Sequence, residues 1–315
     1  MRARLIINPI SGDAEPNTLK IDLIHQSLAG ADFIPETIPT SLEKTAADIA
    51  KEAVREGIEI VLVGGGDGTV GEVARELINT DTTLGIIPIG TFNNVARSLD
   101  IPAEIEAACQ IIAQNHTRKI DIGFANDTYP FLEAAGAGLD ATLFPLGEEI
   151  KGGQWTRLWQ FCANVFQYQA PRFRLTFEHT VGEALPSGKT RRYSTRALRR
   201  RFLTRRALFV VVANGPYYGS GFTVAPNASL NDGKFTISIY RGFSKWELFR
   251  HFQSIYGGKR HYSSKIETFV ASEVRIETRR PIPVHLDGQP FLDTPVRLST
   301  LPAALRVFVP KKVET

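Results

Sequence analysis

Cysteine is scarce: Cys109 and Cys162 are the only two in 315 residues. Their spacing fits neither a metal site nor a disulfide framework, so both are expected to fill core space, as free cysteines do in a reducing compartment. Long apolar runs are missing as well, and nothing approaches the ~18 residues of a membrane span. Only three apolar residues separate the basic start from Asn8-Pro9, too few for a signal peptide. A cytoplasmic protein is expected, with at most peripheral contact at the inner membrane face. Internal repeats and low-complexity segments are also lacking. Acid is absent from one stretch: Lys189 to Arg206 carries nine Lys and Arg and no Asp or Glu. The remainder holds 28 basic against 33 acidic residues, so one patch supplies the whole net charge of +4.

What is present centres on Val61 to Gly71. Ile58 to Val63 is an apolar run rich in Val and Ile, which predicts a buried strand. Gly64, Gly65, Gly66, Asp67, Gly68 and Thr69 follow. Val70, Val73, Ala74, Leu77 and Ile78 then recur on one face of a helix. Strand, glycine turn and helix form a phosphate-binding arrangement. Glycine lets backbone N–H groups approach an anion, and the positive end of the helix dipole points to the same place. Gly66 to Gly71 also fits the dinucleotide fingerprint, but the next strand, Thr83 to Ile89, has no acid near its end to hold a ribose. A carboxylate among glycines suits phosphate-and-metal chemistry, so a triphosphate site is the better reading.

The first 122 residues alternate strands and helices. Strands are expected at Ala3 to Asn8, Phe33 to Ile38, Thr83 to Ile89 and Lys119 to Phe124. Helices are expected over Leu19 to Leu28, Leu42 to Arg55 (with Thr40 or Ser41 as N-cap) and Ala103 to Gln114. This predicts an open, mostly parallel, doubly wound α/β sheet, with ligands at the carboxyl ends of its strands. Residues 123–315 change character: Phe173, Leu175 and Phe177 alternate, as do Phe235, Ile237 and Ile239. They predict a second, largely antiparallel β domain, interrupted by helices around Trp155 to Phe166 and Ser244 to Tyr256. A catalytic cleft between the domains is expected, and residues 297–315 are candidates to return to the first.

With these motifs in place, the chain resembles the diacylglycerol kinase catalytic-domain family, the soluble bacterial lipid kinases in a superfamily shared with NAD and sphingosine kinases. The carriers are Asn8-Pro9-Ile10-Ser11-Gly12, Gly65-Gly66-Asp67-Gly68-Thr69, Pro88-Ile89-Gly90-Thr91-Phe92-Asn93-Asn94, Leu230-Asn231-Asp232-Gly233 and Leu286-Asp287-Gly288, in the family's order. The resemblance implies that ATP is held by Asn8, Pro9, Ser11, Gly12, Thr40, Gly65, Gly66, Asp67, Gly68, Thr69 and Thr91. It implies that Asp67 acts near the transferred phosphate. It further implies a structural Mg²⁺ at Ser229, Asp232 and Lys234, built from two carbonyls and one carboxylate. The residues alone equally allow a β-turn there. Two positions depart from the family pattern. Asn94 stands where Asp is common, and Gln289 stands where many members have a Glu proposed as proton acceptor. A glutamine amide takes no proton at useful pH, which leaves Asp67 and Asp287 as carboxylate candidates and Gln289 to position the alcohol.

The implied activity is ATP-dependent phosphorylation of a diacylglycerol-like lipid. The alternatives are a kinase for another alcohol (a sphingoid base, phosphatidylglycerol or a nucleotide) and a non-catalytic nucleotide- or lipid-binding regulator. The basic run suits docking on an anionic membrane, at ~1 kcal/mol per cation near the surface. Nucleic acid is not expected as a partner, because no recognition motif accompanies the charge. A homodimer is left open. Gly182 to Thr190 nearly spells a P-loop but has five residues between its glycines and no helical run after it, so a hairpin is expected. His285, two residues before Asp287, is assigned no role.

Overall fold

The computed structural model describes residues 1–8, 17–142, 167–178, 182–184, 190–192, 202–244, 246–247, 250 and 265–311. The chain divides into two compact units, Met1–Ile122 with Pro302–Thr315, and Gly123–Leu301.

The first unit runs β1 (Ala3–Ile7), α1 (Asn17–Ser27), β2 (Glu36–Pro39), α2 (Ala46–Arg55), β3 (Ile60–Gly65), α3 (Asp67–Leu77), β4 (Thr83–Pro88), α4 (Asn94–Ser98), α5 (Ile105–Ala113) and most of β5 (Thr117–Ala125). Its strands lie in the order β4-β3-β1-β2 with every neighbour parallel. β1, β3 and β4 are buried at every position, which is why they read as largely apolar runs rather than alternating ones; Arg4 of β1 is buried because it pairs with Glu36 (2.8 Å) and Glu56 (2.7 Å). α1 and α5 pack together, as do α2 and α3. Ile24, Leu28, Cys109 and Ile112 share one core cluster with Leu5, Ile7 and Leu62.

The helix expected from Leu42 starts later. Thr45 is the N-cap, and its Oγ1 accepts the Asp48 amide (3.2 Å) while the Asp48 carboxylate accepts the Thr45 amide (3.1 Å). This reciprocal capping box satisfies two otherwise orphaned donors. Ser41 instead closes a turn with Lys44, and Leu42 is fully solvent-exposed, so neither residue serves the helix.

The second unit continues with β6 (Tyr129–Phe131), β7 (Ala134–Gly138), β8 (Arg172–Glu178), β9 (Gly182–Ala184), β10 (Thr190–Arg192), β11 (Phe202–Arg206), β12 (Phe209–Ala213), β13 (Tyr217–Tyr218), β14 (Phe222–Thr223), β15 (Phe235–Tyr240), β16 (Ile266–Ala271), β17 (Glu273–Thr278), β18 (Pro283–Leu286), β19 (Gln289–Asp293) and β20 (Val296–Phe308). One antiparallel set is ordered β11-β8-β17-β20, and a second sheet β10-β9-β16-β15-β12-β7-β18-β19. Phe173, Leu175, Val274, Ile276 and Leu298 from the first set meet Val210, Val212, Ile237, Ile239 and Val284 from the second in one core. The period-two alternation of β8 and β15 follows from this packing of one sheet face on another. β12 is buried on both faces, because Phe209, Val211 and Ala213 join a further cluster with Leu139, Tyr218 and Tyr240. The final residues of β20 belong to the first unit, where Val307 pairs in parallel with Leu84.

β9 and β10 pair antiparallel, so the two ends of the near P-loop lie in the strands of a hairpin. The helix expected around Trp155 to Phe166 lies outside the described residues. Of the one expected over Ser244 to Tyr256, only 244, 246–247 and 250 are described; there Ser244 and Glu247 exchange the two bonds of a capping box. Among the described residues no helix is long and apolar enough to cross a membrane.

Candidate functional site

In the first unit the strand order 2-1-3-4 reverses between β1 and β3. That is the switch point beside which ligands collect at the carboxyl ends of an open parallel sheet. Asn8 follows β1, Thr40 follows β2, the glycine turn follows β3, and Gly90 to Asn94 follow β4. The ends are tied together: the Asn8 amide donates to the Gly64 carbonyl (3.1 Å), Asn8 Nδ2 to Thr69 Oγ1 (3.3 Å), and the Thr40 amide to the Ile7 carbonyl (2.9 Å). Pro9, Ser11 and Gly12 lie outside the described residues.

Two turns then approach backbone to backbone. A Cβ on Gly90 would stand 2.4 Å from the Gly66 Cα, and one on Gly65 would stand 2.7 Å from the Thr69 Cβ. Both glycines are therefore demanded by packing. Gly68 is not: a Cβ there would meet nothing within 4 Å. Asn93 adopts a left-handed conformation (φ 50°), and its side chain brackets Gly90, accepting the Gly90 amide at 3.0 Å and donating to the Gly90 carbonyl at 2.8 Å.

Asp67 opens α3 directly after the glycine turn and is half-buried. Its Oδ1 accepts the Val95 amide at 3.1 Å, in the first turn of α4. Burial raises the pKa of this carboxyl; the Asn94 and Val95 amides, the Arg97 charge and the Asn93 amide oppose the shift without cancelling it. The result is a positioned, partly accessible carboxylate with an enhanced tendency to take a proton.

In the second unit, Asp287 and Gly288 form the two-residue turn between β18 and β19, both at positive φ (48° and 79°), as a type I′ hairpin requires. The Asp287 carboxylate accepts three main-chain amides, from Leu132 (2.9 Å), Glu133 (2.8 Å) and Ala134 (3.1 Å). Protonating it would weaken three charge-assisted bonds at once, so its geometry suits an anchor better than a base. Gln289, next along, is exposed.

Ser229, Asp232 and Lys234 fall in one turn. Asp232 Oδ1 accepts the Lys234 amide at 3.1 Å, and Ser229 Oγ donates to Asn231 Oδ1 at 2.5 Å. Carbonyl and carboxylate oxygens are the donor types that a hard cation takes. Among the described residues no group of three or more His, Cys, Asp or Glu is placed to hold a metal. Of the basic run, Arg205 pairs with Glu267 (2.8 Å) and Arg206 donates to the Ala170 carbonyl (3.1 Å), while most of the remainder lies outside the described residues. A cavity of about 510 Å³ is lined by Arg206, Leu208, Arg241, Phe243 and Lys265 among others. It shares no residue with the Asp287 turn and is given no part in the chemistry.

Sequence reasoning passed over Asp140 and Tyr218. Both contact His285 inside the second unit, and neither stands in a motif that announces it.

Residues 2–125 match the family described as diacylglycerol kinase catalytic domain, and residues 138–309 match the YegS C-terminal NAD kinase beta sandwich-like domain. The chain is 29% identical over 314 residues to a diacylglycerol kinase of Bacillus subtilis, covering 99% of this chain and 97% of that one. It is 28% identical over 273 residues to a Chromohalobacter salexigens protein described as a probable YegS-like lipid kinase, covering 84% and 80%. In fold it is similar to a crystal structure of a diacylglycerol kinase from Bacillus anthracis, with a TM-score of 0.73 at 22% identity over 98% of this chain and 97% of that one.

Proposed function

Because the chain belongs to the diacylglycerol kinase catalytic-domain family and carries that family's lipid-kinase architecture, we propose that it transfers the γ-phosphate of ATP to the hydroxyl of a diacylglycerol-like lipid at a membrane surface. The observation that carries this reading is Asp67, a half-buried carboxylate with a raised pKa set at the carboxyl end of β3. ATP lies against Asn8, Thr40, Gly65, Gly66, Gly68, Thr69 and Thr91, with main-chain N–H groups of the glycine turn on its phosphates. The lipid oxygen attacks the γ-phosphorus in line, the bond from phosphorus to the β,γ-bridging oxygen breaks, and ADP leaves. Asp67 takes the hydroxyl proton, since Asp287 is committed to three amides. General-base help is worth about 10²–10⁴-fold, and phosphoryl transfer depends mostly on positioning and charge neutralisation. Gln289 stands where the resemblance puts a proton-accepting Glu; its amide can hydrogen-bond an alcohol but takes no proton. Ser229, Asp232 and Lys234 would hold Mg²⁺, which supplies fixed positive charge when bound.

A panel of acceptors with radiolabelled ATP tests the assignment. Label in the organic phase with diacylglycerol supports it, and label only in a soluble or sphingoid product moves the substrate. Gln289 and the amide-bound Asp287 favour one further reading, a nucleotide-binding regulator. ATP binding without transfer to any alcohol would select it.

A further inference from the structure

His285 is fully buried on β18, paired across the sheet with Gly136 of β7. Its Nε2 lies 3.3 Å from Asp140 Oδ2 and 2.5 Å from the Tyr218 hydroxyl, and the Tyr218 ring stacks on the imidazole at a centroid distance of 5.2 Å. On the other side, Nδ1 accepts the Gly288 amide at 3.3 Å. Space for this cluster exists because residue 136 is glycine: a Cβ there would stand 2.1 Å from both Asp140 Oδ2 and His285 Nε2. The Gly288 amide can only donate, so Nδ1 holds the lone pair and Nε2 the proton, which the Tyr218 oxygen and the Asp140 carboxylate both accept. Burial and the Asp140 charge hold the Tyr218 phenol far above its ordinary pKa, so it keeps its own proton.

We propose that His285 is a positioning residue: clamped by Asp140 and Tyr218 on its Nε2 side, it holds the Gly288 amide on its Nδ1 side and so fixes the turn that presents Gln289 to the acceptor. This rests on the kinase reading above. The three-residue link from the imidazole to Gln289 is short and the turn has only two residues. A lost bond at Gly288 therefore reaches the Gln289 side chain directly. Asp287 secures the same turn toward Leu132 to Ala134, the Leu286–Gln289 ladder pair closes it, and His285 adds a side-chain bond to its second half.

Two substitutions separate this role from packing. His285→Asn retains an acceptor near the Nδ1 position, while His285→Gln retains a polar group near Nε2 and abandons Gly288. Displacing a reacting group by ~1 Å can cost on the order of 10²-fold. His285→Gln should therefore lower kcat at least about tenfold with the ATP KM unchanged, and His285→Asn should stay within about threefold of wild type. Melting temperatures should fall in the opposite order, with His285→Asn the less stable. Equal kcat for the two variants, or kcat following stability, overturns the proposal. Long-range ¹H–¹⁵N spectra of the wild-type protein give a test that needs no variant to fold. Protonated Nε2 and bare Nδ1 are expected, and protonated Nδ1 overturns the hydrogen bond to Gly288. A wild-type enzyme that phosphorylates no acceptor refutes the kinase reading instead, and the tautomer then still decides whether His285 holds the turn.

Discussion

Gly68→Ala separates a glycine kept for packing from one kept for a ligand. Gly65, Gly66 and Gly90 are all crowded: added Cβ atoms there would meet Thr69, Gly90 and Gly66 at 2.7, 3.2 and 2.4 Å respectively. Gly68 is exposed in the first turn of α3, and its Cβ would meet nothing within 4 Å. Alanine is favoured over glycine in a helix by roughly 0.5–1 kcal/mol, so Gly68→Ala should leave the melting temperature level or raise it by about 2 °C. If the phosphates of ATP lie against this turn, the new methyl occupies their space. The ATP KM should then rise about tenfold, or ~1.4 kcal/mol. Gly90→Ala is the control for packing: forcing its methyl against the Gly66 backbone should cost about 1–3 kcal/mol of stability. The assay is initial-rate kinetics against ATP together with thermal melting of the same preparations. A Gly68→Ala enzyme with an unchanged ATP KM and an undiminished melting temperature would refute the placement of the phosphates.

Asp287→Ala strands three main-chain amides of buried residues, each worth about 1–3 kcal/mol when left without an acceptor. Denaturant titration should show a loss of at least ~3 kcal/mol, with Asp287→Asn, which keeps one acceptor oxygen, losing less. The pKa of Asp67 lies above its ordinary value of 3.8, so ionising it costs the folded state. Its contribution to stability is complete below pH 3.8 and is lost as pH rises through the elevated folded value. In melts without nucleotide or metal, the stability of Asp67→Asn relative to wild type should therefore increase over that window and then level off, while transfer by the wild type should rise over the same window. Thr45→Ala removes one half of the α2 capping box and should cost ~1 kcal/mol of stability with kinetics unchanged.

The parallel core of the first unit was legible because β1, β3 and β4 are buried on both faces, and such strands leave largely apolar runs of Val, Ile and Leu. β8 was legible for the converse reason, since only one of its faces is buried in the sandwich core and alternation survives; β15 alternates in sequence because Thr236 and Ser238 stand between Phe235, Ile237 and Ile239, although Ser238 and Tyr240 are buried as well. The start of α2 was not legible. Thr40, Ser41 and Thr45 are all acceptable caps by type, and the choice fell to Thr45 because Asp48 returns its hydrogen bond. The environment of Asp287 was invisible for a different reason. Its amide donors lie 153 to 155 residues away in sequence, and nothing local to the turn foretells them. Asp140 and His285 are 145 residues apart, and their meeting depends on a glycine across the sheet. The glycine turns show the middle case. Their sequence declares a close backbone approach, but only the structure separates Gly65 and Gly90, crowded by protein, from Gly68, which is not.

The most direct test is phosphate transfer from radiolabelled ATP to diacylglycerol in mixed micelles, comparing wild type with Asp67→Asn. Organic-soluble label from the wild type is predicted, with none from a variant that still melts cooperatively. Near-wild-type turnover by Asp67→Asn, or a wild-type protein that binds ATP and labels no alcohol, would contradict the account.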